Sequence, residues 1–380
     1  MTNRQIFLNH VGQTSPSPLA LEIVRAKDSI LYDINGKEYI DLIGGISVCN
    51  VGHGNTKVIE AVQAQAADYM HVMVNGEFIL SPQTAYAKLI TDHLPDSLNS
   101  VFYTASGSEA TEGAMKLAKR FTRKTKIVAF KNSYHGSTQG SLSIIGDEYW
   151  RNAFRPLLPG IQHLNYNRME DLSFITDDTA CVIAETIQSE AGVKAPTKEW
   201  LQALRKKCTE VGALLVLDEI QCGFGRNGTL WAFEQFDVLP DILLLGKALG
   251  GGMPMGAFVA DKKLMDSLTE NPVLGHMNTF GGHPVCCAAG KAAMDFLLEE
   301  KLVEKVFAKG ELFVNNIEKD KIKDIRCEGL MIAIEFNDFE ENKKVIDTLI
   351  ENGIFTDWFL FAANCLRIVP PLTITEEEIL

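Results

Sequence analysis

The sequence predicts an α/β protein in which a mainly parallel central sheet is followed by a smaller α+β domain. From about residue 101, short continuously apolar runs alternate with amphipathic helical stretches, which is the pattern of βαβ units in a parallel sheet. After about residue 290, longer charged amphipathic stretches flank short strands, which is typical of an α+β domain. With 380 residues the chain is long enough to bury a core in both parts.

The individual elements follow from apolar periodicity. Six apolar runs are predicted strands of the central sheet: Val101–Thr104, Ile127–Phe130, Ala180–Glu185, Leu214–Asp218, Ile242–Leu245 and Ala257–Ala260. Four stretches with apolar residues at three- and four-residue spacing are predicted helices: Glu109–Arg120, Trp200–Val211, Ala292–Lys319 and Glu341–Asn352. Two further strands are predicted at Gly329–Glu335 and Cys365–Val369. We expect residues 46–288 to form the large domain and residues 289–380 the small one.

The composition excludes several classes of partner. A formal net charge of −13 and a pI near 5.2 argue against nucleic-acid binding, which needs a basic surface. No apolar segment follows Met1–Ile6 as in a secretory signal, and no window approaches the ~20 apolar residues of a membrane span. The eight cysteines form neither a CxxC motif nor a Cys/His cluster, so we predict no metal site and reduced thiols in a cytoplasmic protein.

Two charged side chains follow buried strands and point to a chemical site. Asp218 ends the run that begins at Leu214, and Lys247 follows the run Ile242–Leu245. Carboxyl ends of parallel strands meet at one edge of a sheet, where such sheets bind ligands. A lysine there can form a Schiff base with a carbonyl, and a carboxylate can keep a pyridine nitrogen protonated, as pyridoxal 5'-phosphate (PLP) chemistry requires. The glycine-rich stretch 250–256 favours this interpretation over a solvated lysine and a helix-capping acid.

A third motif, residues 104–110, joins a predicted strand to a predicted helix. Its centre reads Ser106-Gly107-Ser108. The first turn of a helix has free amide groups and the positive end of the helix dipole, so it can bind a phosphate through the Gly107 and Ser108 amides and a hydroxyl. The alternative is an ordinary helix start with Ser108 as its N-cap.

Together these motifs resemble the class III (omega) aminotransferases, and among them the acetylornithine and ornithine aminotransferases. The resemblance rests on five separated motifs in the family's order, and it extends from Tyr32-Asp33 to Pro370-Pro371-Leu372. The most specific are residues 217–228, Pro240-Asp241 and 246–252. The resemblance implies a fold type I PLP-dependent transferase in which the N-terminal segment, residues 1–45, joins the small domain.

The resemblance also implies the residues that bind PLP. Lys247 anchors the cofactor and then moves the substrate proton, and Asp218 pairs with the pyridine nitrogen. Gln221 donates to the 3'-oxygen of the ring, and Tyr134 lies on the ring unless it is an ordinary core tyrosine. The remaining cofactor residues are Ser106, Gly107 and Ser108 around the phosphate, His135 beside Tyr134, and Glu185, for which a helix cap is the alternative.

One loop implies a homodimer with shared active sites. Residues 278–284 resemble the loop that in relatives crosses the dimer interface, where its threonine, here Thr279, bonds the phosphate of the partner's PLP. The alternative is a glycine-rich turn without that contact.

Three residues bear on the substrate. Arg367 matches the family's arginine for the α-carboxylate of glutamate or 2-oxoglutarate, and Glu190 matches the glutamate that shields it. Ser137 departs from the pattern, because acetylornithine and ornithine enzymes usually have an arginine there for the distal carboxylate of the donor. The tyrosine that ornithine-specific enzymes place near the N-terminus is also missing from residues 13–18.

The predicted function is the transfer of a terminal amino group from N-acetylornithine or ornithine to 2-oxoglutarate. The alternatives are a lysine, β-alanine or other omega-amine transaminase, with pyruvate as a further acceptor, and another PLP reaction such as an aminomutase or racemase. Glu190 with Arg367 favours a two-substrate transaminase. A binding protein without PLP on the same fold is a further alternative, against which the intact set Lys247, Asp218, Gly107 and Tyr134 argues.

Overall fold

The computed structural model describes residues Met1–Leu380. Its strands are β1 Ile23–Lys27, β2 Ile30–Asp33, β3 Glu38–Asp41, β4 Ser100–Thr104, β5 Lys126–Phe130, β6 Ile161–Leu164, β7 Thr179–Glu185, β8 Leu214–Asp218, β9 Ile242–Leu245, β10 Gly256–Ala260, β11 Asp324–Glu328, β12 Met331–Glu335, β13 Ile354–Phe355, β14 Trp358–Phe359 and β15 Ala362–Ile368.

The helices are α1 Asn3–His10, α2 Gly44–Ser47, α3 Thr56–Asp68, α4 Ser81–Asp92, α5 Gly107–Thr122, α6 Gln139–Ser143, α7 Glu148–Arg151, α8 Lys198–Val211, α9 Lys262–Met265, α10 Pro284–Glu299, α11 Val306–Asn316, α12 Phe339–Glu351 and α13 Glu376–Ile379. Short 3₁₀ helices span Asn152–Phe154, Met169–Phe174, Ala232–Phe236, Lys247–Gly250, Asp266–Leu268 and Leu302–Lys305.

The central sheet has seven strands in the order β4-β10-β9-β8-β7-β5-β6. Strands β9, β8, β7, β5 and β6 are mutually parallel, and β10 runs antiparallel to both of its neighbours. The prediction of a mainly parallel sheet is confirmed, and each of the six predicted strands is present within one residue at either end. The edge strand β6 was not predicted, because only its last residue is fully buried and the run is short.

Helices cover both faces of this sheet, as the alternation of its side chains requires. Val182 and Ala184 of β7 pack in one core cluster with α8, whereas Cys181 and Ile183 pack in another with α5. Every residue of β7 and β8 is buried. This two-sided burial explains why the strands read as continuous apolar runs, and it leaves only their ends free to carry polar groups.

The remaining strands form two smaller sheets. Strands β11, β12, β15 and β14 form an antiparallel sheet, and β1, β2 and β3 continue into β13. Strand β3 pairs with β13 in parallel, with Ile40 opposite Ile354, so the N-terminal segment contacts the C-terminal part of the chain. Helix α10 crosses residues 288 and 289 without interruption. The domain boundaries stay a prediction.

The predicted helix Ala292–Lys319 is wrong. Helix α10 ends at Glu299, Lys301 adopts a positive φ of 51°, and a 3₁₀ turn precedes α11. Neither glycine nor proline marks this break in the sequence, so apolar periodicity alone could not locate it. No helix of the structure is both long and apolar enough to cross a bilayer.

Candidate active site

A cavity of about 690 Å³, including its mouth, lies at the carboxyl edge of the central sheet. It is bounded by the ends of β4, β7, β8 and β9 and by the start of α5. Its lining residues are Ser106, Gly107, Ser108, Tyr134, His135, Gly136, Glu185, Ile187, Glu190, Asp218, Ile220, Gln221, Cys222 and Lys247. The structure therefore brings together nine of the predicted cofactor residues and Glu190 in one cavity.

The N-terminus of α5 forms one end of the cavity. Ser106 is the N-cap, since its hydroxyl accepts from Glu109 N at 3.2 Å, so the alternative with Ser108 as the cap is wrong. The first amides of this 16-residue helix have no intrahelical partner and lie at the positive end of its dipole. A Cβ at Gly107 would come within 3.0 Å of the Ile220 side chain, which explains a glycine there. The arrangement suits an anion.

Asp218 stands at the centre of the cavity and is 4% exposed. Its Oδ2 atom lies 2.7 Å from His135 Nδ1, and its Oδ1 atom accepts from Ile220 N at 2.9 Å. The opposite ring nitrogen, His135 Nε2, is buried without a hydrogen-bond partner. This contact and the one with the Ile220 amide fix the orientation of the Asp218 carboxyl group.

Glu185 lies beside Asp218, because the two residues are in register in the parallel β7–β8 ladder. Burial raises the pKa of Glu185 to about 7, with His135 lowering it and Asp218 raising it. Its two oxygens accept from Tyr134 N and Ser189 N, each at 2.9 Å. Neither amide belongs to a helix, so the helix-cap alternative for Glu185 is wrong.

Lys247 reaches the cavity from the turn after β9. Its backbone has a φ of 48°, which is uncommon outside glycine, and its Nζ atom donates to Gln221 Oε1 at 2.8 Å. Burial lowers the pKa of Lys247, while the charges of Glu190 and Arg367 act on it in opposite directions. The amide nitrogen of Gln221 is buried and unpaired. The amine is thus easier to deprotonate than a solvated lysine.

Arg367 lies behind Glu190 and forms a bidentate ion pair with it. The Nη1–Oε1 and Nη2–Oε2 distances are 2.9 and 2.8 Å, and the two side chains are 2% and 6% exposed. The guanidinium carbon lies 4.5 Å from the centre of the Phe359 ring. The predicted partners are therefore in contact although 177 residues separate them in the sequence. Glu190, which lines the cavity, covers Arg367.

Besides Arg367, which Glu190 covers, two predicted residues lie outside the cavity. Ser137 is exposed, and its amide donates to Ser108 Oγ at 3.2 Å. Burial raises the pKa of Tyr134, and the Ser137 hydroxyl opposes this. Thr279 is exposed on the loop before α10 and contributes nothing to the cavity of its own chain.

Sequence reasoning missed several residues of the site. Ile187, Gly136 and Cys222 line the cavity, and Ile220 fills the space that Gly107 and Gly246 leave free. The glycines were the only available signal, because a residue without Cβ often marks a close approach by another group. No feature of the sequence indicated that Ile220 packs against Gly107 and Gly246.

Comparison with known proteins shows the family. The sequence model of the class III aminotransferases matches residues 11–380. The chain belongs to the class III aminotransferases. This transaminase is 39% identical to the acetylornithine aminotransferase of Methanopyrus kandleri over 373 residues, covering 97% of this chain and 94% of the relative. It is 40% identical to the LysW-aminoadipate semialdehyde/glutamate semialdehyde transaminase of Sulfurisphaera tokodaii over 321 residues, covering 83% and 81%.

A solved structure confirms the fold class. The ornithine aminotransferase of Toxoplasma gondii, crystallised with PLP at partial occupancy in its active site, superimposes with a TM-score of 0.91 at 30% identity, covering 99% of this chain and 90% of that one. The predicted fold type I α/β transferase and the predicted transaminase are therefore confirmed. The alternative of a binding protein without enzymatic activity is wrong.

Proposed function

We propose that this transaminase binds PLP in the cavity and moves the terminal amino group of an amino acid to 2-oxoglutarate. The observation that carries the proposal is that two groups of residues meet at one cavity. The first is Asp218, Lys247 and the start of α5, which the cofactor requires, and the second is the Glu190–Arg367 pair.

The residues of the cavity fit PLP. The free amides at the start of α5 offer a site for its phosphate, and Asp218 offers an anion for a protonated ring nitrogen. Gln221 Nε2 is a buried donor without a partner, which suits an oxygen on the ring. Tyr134 lines the same cavity and offers an aromatic face.

When bound, PLP supplies an electron-withdrawing ring that takes up the electron pair left when the substrate carbon loses its proton. Asp218, oriented by His135, keeps the proton on the ring nitrogen. Lys247 Nζ accepts the proton that the substrate carbon loses. Its burial favours the neutral amine that this transfer needs.

The Glu190–Arg367 pair supports two successive substrates in one site. While Glu190 binds both terminal nitrogens, Arg367 cannot form a bidentate contact with a substrate carboxylate. A substrate whose reacting amine has no neighbouring carboxylate is therefore favoured. When Glu190 withdraws, the same fork suits the α-carboxylate of 2-oxoglutarate. This arrangement argues for a transaminase over an aminomutase or racemase.

N-acetylornithine or ornithine is the proposed donor, on the strength of the relatives. A second candidate is an omega-amine donor such as lysine or β-alanine, including with pyruvate as the acceptor. Among omega-amine donors, the exposed Ser137 favours those without a distal carboxylate, because a hydroxyl cannot bind a carboxylate as a guanidinium does.

We also propose a homodimer with shared active sites, which the position of Thr279 supports. The residue is exposed, and the adjacent Phe280 is 57% exposed, which suits a loop that reaches a second copy. Light scattering tests this, and a fully active monomer at assay concentration would exclude it. The cytoplasmic location stays a prediction.

The deciding experiment is half-reaction spectroscopy of the PLP-loaded protein. Each of N-acetylornithine, ornithine, lysine and β-alanine is mixed with the protein, and 2-oxoglutarate or pyruvate is then added. We expect loss of the cofactor's aldehyde absorption with a terminal amine and its recovery with 2-oxoglutarate. Isomerisation of a single substrate without any acceptor would instead support an aminomutase, and no spectral change with any amine would overturn the proposal.

A further inference from the structure

Arg367 has a second carboxylate beside it. While Glu190 binds the two terminal nitrogens of the guanidinium, Asp357 Oδ1 lies 3.1 Å from the third nitrogen, Nε. The N–H does not point at this oxygen, so the contact is an ion pair without an aligned hydrogen bond. The carbonyl of Trp358 accepts from Nη2 at 2.9 Å. One buried cation is therefore matched by two acids.

The two acids are attached to different parts of the fold. Asp357 moves with Arg367, because Arg367 N donates to Asp357 O at 2.9 Å and the Thr356 hydroxyl donates to Arg367 O at 2.6 Å. The next residues of the two segments pair in the β14–β15 ladder. Glu190 comes instead from the turn after β7 in the central-sheet part of the chain.

A small displacement of that turn has unequal effects on the two pairs. Glu190 reaches the β14–β15 segment through Arg367 and the backbone amides of Leu360 and Phe361. Moving the turn breaks these contacts together. The contact between Asp357 and Arg367 persists, since both residues belong to one hydrogen-bonded ladder.

We propose that Asp357 is a positioning residue that keeps the Arg367 guanidinium aimed at the cavity after Glu190 has withdrawn and a substrate carboxylate has taken its place. This inference rests on the proposed function, in which Arg367 binds the acceptor. An arginine released from one partner has many rotamers, and a fixed counter-ion at Nε leaves the fork of terminal nitrogens directed at the substrate. Asp357 acts through Arg367 and touches no reacting atom.

The electrostatics give the inference a pH signature. Burial raises the pKa of Asp357 to about 6, while Arg367 lowers it and Glu190 and Asp41 raise it. The residue holds Arg367 as an anion, which is the form present above its pKa. Binding of the acceptor should therefore strengthen as the pH rises through about 6.

The test measures the two half-reactions of the PLP-loaded protein separately in Asp357→Ala and Asp357→Asn. Binding of glutarate, a dicarboxylate that cannot react, is measured by calorimetry. Asp324→Ala is the matched control, because Asp324 pairs with Arg326 in the same small sheet.

For Asp357→Ala we expect kcat/KM for 2-oxoglutarate to fall roughly 10-fold or more through KM, as for loss of a charge-assisted contact. Glutarate binding should weaken in parallel, and the donor half-reaction should change less than about twofold. Asp357→Asn keeps an oxygen near Nε and should fall between.

The pH profile separates positioning from a structural role. The ratio of acceptor to donor kcat/KM should rise with pH through about 6 in the natural protein and stay flat in Asp357→Asn. Titration of Glu185 should affect both half-reactions, because this residue lines the cavity that both use, so its effect cancels in the ratio. An equal loss in both half-reactions, or tighter glutarate binding in Asp357→Ala, would overturn the inference. Failure of every 2-oxo acid with the natural protein would overturn the proposed function, and the glutarate titration would still report on Asp357.

Discussion

Glu185 and Asp218 stand side by side at the carboxyl ends of β7 and β8, where they are partners in the parallel ladder. They are 6% and 4% exposed, so their charges repel in a poorly solvated place. His135 contacts Asp218 directly, whereas the Glu185 carboxyl group accepts from two backbone amides. Burial raises the pKa of Glu185 to about 7, so this residue can give up its charge near neutral pH. The two neighbouring acids therefore differ in their hydrogen-bond partners.

Replacing Asp218 tests the member of this pair that contacts His135. Because an amide in Asp218→Asn cannot balance a positive charge on the cofactor ring, we expect kcat to fall by ~10²–10³ while the fold is kept. The measurement is kcat with a terminal-amine donor, with circular dichroism as the folding check. Asp266→Asn, at an exposed acid paired with Lys262, should leave kcat unchanged. Normal turnover in Asp218→Asn would mean that another acid serves the ring.

Lys247→Ala removes the residue that we propose as both the cofactor anchor and the proton carrier. Proton transfer by a positioned side chain is commonly worth ~10²–10⁴ in rate, so we expect no transamination above a few per cent of the natural rate. Formation of glutamate from 2-oxoglutarate is the measurement. Lys262→Ala, at an exposed lysine, serves as the control. Substantial activity in Lys247→Ala would show that the assignment of this lysine is wrong.

Glu190→Gln tests the shielding of Arg367. A neutral side chain loses the charge-assisted bidentate pair and leaves the guanidinium open to carboxylates at all times. We expect the preference for a terminal amine over glutamate, expressed as a ratio of kcat/KM values, to fall roughly 10-fold. The exposed Glu199→Gln variant in α8 should keep the natural ratio. An unchanged ratio in Glu190→Gln would remove Glu190 from substrate selection.

Ser137→Arg tests the departure from the family pattern. An arginine at this exposed position beside Ser108 can grip a distal carboxylate, so preference for carboxylate-bearing donors should increase roughly 10- to 150-fold in kcat/KM. The measurement compares N-acetylornithine, ornithine, lysine and a simple diamine in both proteins. If the natural protein already prefers N-acetylornithine a thousandfold and the variant gains nothing, another residue supplies the grip.

Glu219 provides a prediction about stability. It is fully buried and accepts from Ala232 N and Phe233 N at 2.7 Å and from the Thr186 hydroxyl at 2.9 Å. Burial raises its pKa from 4.5 to about 7, so the folded protein binds a proton more tightly than the unfolded chain between these values. The contribution of Glu219 to the free energy of unfolding is therefore fully present below pH 4.5 and declines as the pH rises towards 7.

In Glu219→Gln, an amide NH₂ group replaces one carboxylate oxygen and faces a backbone N–H that needs an acceptor. We therefore expect the free energy of unfolding to fall by ~1–3 kcal/mol. The loss should be larger at pH 5 than at pH 7, because the protonated glutamic acid is the better-tolerated native form. Urea unfolding at both pH values measures it, with the exposed Glu210→Gln as the control. Equal losses at the two pH values would contradict the raised pKa.

The sequence by itself determined six of the seven strands of the central sheet and two charged residues at its carboxyl edge. Strands β8 and β9 were predicted with their observed bounds, because strands buried on both faces must be apolar throughout. Asp218 and Lys247 are the charged groups at which these runs end. Their convergence follows from parallel strand direction alone, so local patterning was sufficient. The resemblance to a family added the pairing of Glu190 with Arg367.

Only the tertiary structure decided the contacts between polar groups far apart in the chain. The contact of His135 with Asp218 spans 83 residues, and Asp357 meets Arg367 through the pairing of β14 with β15. The choice of Ser106 over Ser108 as the cap of α5 and the break between α10 and α11 also depend on packing. Apolar periodicity reports which face of an element is buried, whereas the partner of a buried charge is set by how whole elements pack together.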